Sequence, residues 1–120
     1  MTDTRDEQSV DTDKSNIRVY DKLVRDGIPK LLTDEGKVCA YHIETGDMYL
    51  DRLRAKLLEE FDELEANPSV EEAADLYEVF CAIIDHHDLD MSRVVYDAAN
   101  QKRRRLGGFS KGYVLELVYE

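Results

Sequence analysis

The tripeptide Asn67-Pro68-Ser69 stands between two runs of helical periodicity, and it constrains the chain more than any other feature. Upstream, Leu50, Leu53, Leu57, Phe61 and Leu64 recur at 3-4-4-3 spacing. On a helix over residues 47–66 they fall within an arc of about 80°. Asn67 ends that helix, because the residue before a proline is pushed out of the α region. Ser69 can cap a second helix running to Asp85 or His87. So short a link favours antiparallel packing of the two. A third helix starts at Asp90 or Ser92 and stops at Gly107-Gly108. A short fourth begins at Ile28, with Pro29 in its first turn and Gly36 closing it. Ile17, Val19, Tyr20 and Leu23 suggest a short extended segment, while residues 37–44 and 113–119 read as β-strands. Residues 1–16 hold one β-branched aliphatic and no aromatic residue. They are expected to be a disordered acidic tail. The fold predicted for residues 17–120 is one mainly α domain, a helical bundle with two or three short β-strands at the ends of the ordered chain.

Charge is unevenly distributed along the 120 residues, which carry 27 acids, 16 bases and a net −11. Residues 44–97 hold −12 and residues 98–120 hold +3. The overall sign argues against a nucleic-acid polymer or an anionic membrane as partner. No apolar run approaches the ~20 residues of a membrane span. Cys39 and Cys81 are too few for a zinc quartet or a disulfide framework, which points to a reducing, cytoplasmic compartment.

The acids that matter are those on the core side of the helices. Glu60 and Glu63 form an i, i+3 pair on the first long helix, and Glu72 and Asp75 form another on the second. Side chains at that spacing share a face, and like charges there repel unless a cation joins them. Glu60 borders the apolar stripe, Glu72 falls inside that of its own helix and Asp75 sits at its edge. Glu59 points away from the core and is expected to be solvated. A carboxylate on a core-facing stripe is costly unless paired or metal-bound. Antiparallel packing would let the four acids converge as oxygen ligands for a hard cation, Mg²⁺ or Mn²⁺. Such a site suits phosphoryl chemistry. A competing reading gives Glu72 a structural role in a capping box, Ser69-x-x-Glu72. Glu60 and Glu63 would then be a solvated, mildly self-repelling face.

These segments resemble the all-α nucleoside triphosphate pyrophosphohydrolases, the superfamily of MazG, the dimeric dUTPases and phosphoribosyl-ATP pyrophosphohydrolase. The family signature is E-x-x-E on one helix and E-x-x-D on the next. It corresponds to Glu60-Phe61-Asp62-Glu63 and Glu72-Ala73-Ala74-Asp75. Two flanking blocks, Tyr20-Asp21-Lys22-Leu23-Val24-Arg25-Asp26-Gly27-Ile28-Pro29 and Lys102-Arg103-Arg104-Arg105-Leu106-Gly107-Gly108-Phe109, resemble the opening and close of a MazG-like subgroup. The likeness covers residues 18–119. It implies a MazG-like bundle and Mg²⁺-dependent hydrolysis of the α–β phosphoanhydride of a standard or non-standard nucleoside triphosphate, giving the monophosphate and pyrophosphate. Glu60, Glu63, Glu72 and Asp75 would be the metal ligands. Glu60 or Glu63, with Glu59 as a weaker candidate, would orient or deprotonate the attacking water. Relatives build the bundle from two chains, so a homodimer or homotetramer is implied. Phosphoribosyl-ATP as substrate and a non-catalytic nucleotide-binding or regulatory domain are the alternatives.

A triphosphate also needs cationic contacts. Lys56 is the first candidate, then Lys102, Arg103, Arg104 and Arg105, then Lys22 and Arg25. The basic run could instead serve the helix dipole, and Arg25 a structural ion pair. Asp85-His86-His87-Asp88 reads as a surface helix end, and Tyr77 and Phe80 as core residues.

Overall fold

The computed structural model describes residues 16–119. The expectation of a disordered tail therefore falls almost wholly outside the described residues. Four α-helices follow one another: α1 (Ile28–Asp34), α2 (Gly46–Ala66), α3 (Val70–His86) and α4 (Tyr96–Leu106). A five-residue π-helical turn, Met91–Val95, leads directly into α4. None of the described helices is long and apolar enough to cross a membrane.

Local chemistry sets the helix ends. Asn67 takes φ −144° ahead of Pro68, and its N–H donates to the Glu63 carbonyl. Ser69 is extended, and its hydroxyl accepts the Glu72 N–H at 3.2 Å. Asp90 caps the π turn by accepting the Arg93 N–H at 3.2 Å. Gly36 and Gly107 lie at φ +82° and +84° just beyond α1 and α4, conformations that disfavour a residue with a Cβ. α2 and α3 form an antiparallel hairpin. Tyr49, near the start of α2, meets His86, at the end of α3, edge-to-face with ring centroids 5.6 Å apart.

Two expectations fail. No strand forms among the described residues, and both 37–44 and 113–119 are irregular. Strand propensity describes a fit to a pleated, half-buried surface, and neither segment lies in a ladder. The apolar stripe of α2 is also not its contact face. Of its five members Leu53 alone is fully buried, beside Lys56 and Glu60. At 100° per residue this buried face lies about 65° around the helix from Leu57. α3 answers with Glu72, Asp75 and Val79. Its exposed residues include Tyr77 and Phe80, so neither is a core residue within the single chain. The apolar side chains buried among the described residues are Ile28, Leu53 and Val79.

Arg52 of α2 fastens the segments that precede the hairpin. Its guanidinium donates to the two Glu44 carboxylate oxygens at 2.9 and 3.1 Å. It also donates to the Asp21 carbonyl at 2.9 Å and the Asp21 carboxylate at 3.2 Å. Asp21 itself sits at φ +45°, a turn that begins the strap of residues 21–28. Hydrogen bonds from Arg52 and then His42 hold Glu44 down to about 2 from an ordinary 4.5.

Two outcomes follow from these contacts. Ser69→Ala should lower stability by about 1 kcal/mol, read by denaturant unfolding. Glu44 is more acidic folded than unfolded, so its contact stabilises fully above about pH 4.5 and is lost as pH falls through about 2. Carboxyl NMR should show Glu44 titrating at about 2 in the native chain and higher in Arg52→Ala, where only the contact with His42 still lowers it.

Candidate functional site

The acidic pairs meet between α2 and α3. Carboxylate oxygens of Glu60, Glu72 and Asp75 lie within 4.8 Å of one another, as do those of Glu59, Glu60 and Glu63. Glu60 belongs to both groups and is 1% exposed, the deepest acid among the described residues. Glu72 and Asp75 are buried with it. Both oxygens of Glu63 are shielded from solvent although the residue is only half-buried. The i, i+3 spacing on each helix and the antiparallel hairpin are enough to create this convergence.

Among the described residues three cations line the cluster. Lys56 is buried on α2, with its Nζ 3.1 Å from Glu59 and 3.6 Å from Glu60. The strap supplies the other two. Lys22 Nζ donates to both Glu59 oxygens at 3.1 Å. Arg25 donates to Asp75 Oδ1 at 2.9 Å. Asp75 Oδ2 is buried with no hydrogen-bond partner. Among the described residues the carboxylates of Glu59, Glu60, Glu63, Glu72 and Asp75 and the cations Lys22, Arg25 and Lys56 thus share one site. An all-oxygen donor set with an orphaned buried oxygen, Asp75 Oδ2, fits one hard divalent ion. An uncompensated buried carboxylate is otherwise expensive.

A cavity of about 650 Å³ opens beside the cluster. Lys56 and Arg25 with the acids Asp26, Glu60, Asp75 and Glu78 contribute its charged wall. Leu23, Ile28, Leu31, Leu53 and Val79 form much of the apolar remainder. This is the size and character of a small-molecule site. Tyr49 also lines it, and burial first, then Asp26 and Asp85, pushes its phenol pKa up, keeping a hydroxyl donor there.

The structure changes the rank of the sequence candidates. Lys22 and Arg25, placed third among the cations, touch the cluster directly. Lys102, Arg103, Arg104 and Arg105 are exposed on α4, which packs on neither α2 nor α3, and they do not line this cavity. Glu59 is not simply solvated. Partial burial would raise its pKa, but hydrogen bonds from Lys56 and Lys22 outweigh burial and hold the carboxyl below its ordinary range. Glu72 shows half of the capping box, its backbone N–H on Ser69, while its carboxylate joins the acidic cluster. Asp85 and His87 are exposed at the end of α3, as read from the sequence, whereas His86 is half-buried against Tyr49. Sequence reasoning missed Tyr49 and the Arg52 clamp. An arginine 8 residues from one partner and 31 from the other carries no local signal of that role.

Compared with protein-family models, with curated proteins and with solved structures, the chain matches none.

Lys22→Met should raise the Glu59 pKa, because one of the two lysines holding it down is removed. Carboxyl NMR of the variant checks this, and an unchanged titration would show that the strap does not hold Glu59 in solution.

Proposed function

We propose that the protein is a pyrophosphohydrolase that splits a standard or non-standard nucleoside triphosphate into the monophosphate and pyrophosphate. The observation that carries this reading is the buried convergence of Glu60, Glu72 and Asp75 beside a cavity whose wall includes Lys56 and Arg25. Its donors are all oxygens, and one of them, Asp75 Oδ2, is buried with no hydrogen-bond partner.

Glu60, Glu63, Glu72 and Asp75 would hold Mg²⁺, or Mn²⁺ in its place. That ion would polarise phosphate oxygens and make water a better nucleophile. Lys56, Lys22 and Arg25 are positioned to receive phosphate oxygens, with Arg25 moving from Asp75 to the substrate. Glu59 anchors the two lysines, and a carboxylate held below its ordinary range is a weak base. Orientation and deprotonation of water therefore fall to Glu60 or Glu63. The apolar side of the cavity would take the base or sugar. Among the described residues three buried apolar side chains leave most of the apolar surface uncovered, which supports a homodimer or homotetramer.

The test is pyrophosphate release across a nucleotide panel that includes phosphoribosyl-ATP, with Mg²⁺ and with Mn²⁺. Glu60→Gln and Asp75→Asn should each lower turnover about 100-fold or more while circular dichroism stays unchanged. Full activity in both variants would sink the assignment. Binding without turnover across the whole panel would instead support a non-catalytic nucleotide-binding domain.

A further inference from the structure

The C-terminal quarter of the described chain has no seat on its own bundle. From Met91 to Leu106 the chain is one uninterrupted helical run, a π turn followed by α4. α4 packs only against that turn, and none of its residues is buried. Beyond it, Phe109 is 99% exposed and Tyr119 93% exposed. Six of the seven residues from Tyr113 to Tyr119 are apolar or aromatic, and all of those are exposed. Scattered apolar residues on a surface need no explanation, but a contiguous run of this length does.

The α2–α3 hairpin presents a matching surface. It turns charge inward, so its outward side carries Leu58 and Phe61 on α2 and Tyr77 and Phe80 on α3. Each pair is spaced i, i+3 and so shares a face. Exposed acids flank them, among them Asp62, Glu65, Glu71 and Glu78. The arm bears the opposite charge: Lys102, Arg103, Arg104, Arg105 and Lys111 are all exposed. Residues 98–119 carry five bases against one acid, so their charge complements that acidic edge.

We propose that residues 98–119 of one chain dock on the outward α2–α3 face of a second copy. The chain's own arm is led away from that face. The radius of gyration is 19.0 Å, against about 13 Å for a compact chain of this length. The extents of 68 × 29 × 27 Å describe a body with a projecting limb. Folding the arm back would require re-routing the link of residues 87–90 between α3 and the π turn. Exchange between two copies leaves that link as it is, covers both apolar surfaces at once and closes as a symmetric dimer. The inference goes beyond the hydrolase reading and does not depend on it.

The experiment has readouts independent of turnover. By light scattering after size exclusion the full chain should be a dimer or a multiple of one. Arg103→Glu/Arg104→Glu/Arg105→Glu should weaken that association by roughly tenfold or more, as should truncation after Gly107. Circular dichroism reports whether the truncated chain keeps its helices. A photo-reactive residue at Phe109, in a mixture of isotopically light and heavy chains, covers the case in which it does not. Cross-links should join light to heavy chains and land on peptides containing Leu58–Phe61 or Tyr77–Phe80. A monomeric full chain, an assembly indifferent to both variants, or cross-links confined within one chain or landing elsewhere would overturn the proposal.

Discussion

Carboxylates placed between two helices must be neutralised, and nearly every other feature of this structure follows from how that is done. Glu60, Glu72 and Asp75 occupy the seam that leucines hold in an ordinary helical hairpin. Removing them from water without compensation would cost several kcal/mol per ion. Lys56 answers from within α2, but Lys22 and Arg25 come from a segment more than thirty residues earlier. The strap over residues 21–28 is therefore part of the site. Its position rests on the left-handed turn at Asp21 and on Arg52, which grips Asp21 and Glu44 together.

A seam used for charge cannot also be the main apolar contact. Leu58 and Phe61 of α2 and Tyr77 and Phe80 of α3 consequently meet solvent. The two consequences belong together: the arrangement that gathers the carboxylates also leaves aromatic side chains in solvent. In the proposed dimer the acidic cluster and the contact between chains would rest on the same two helices.

Several features were legible from local chemistry. Pro68 stops α2, Ser69 starts α3, and Gly36 and Gly107 end α1 and α4, because each acts on a backbone within one turn of itself. The pairs Glu60/Glu63 and Glu72/Asp75 were legible for the same reason, since i, i+3 neighbours share a face in any helix. The strands were misread because Val38, Tyr41 and the run from Tyr113 to Tyr119 have strand propensity but no ladder within the chain. Glu59 was misread as solvated because its two lysines come one from its own helix and one from the distant strap.

The sequence by itself determined where helices begin and end and which acids share a helical face, because those properties depend on neighbours within four residues. Only the tertiary structure decided which face of α2 meets α3, which cations reach the acids and which apolar residues stay uncovered. Those outcomes depend on the rotation of one helix against another. That rotation is set by the balance between burying leucine and neutralising buried carboxylate, and no window along the chain contains both sides of that balance.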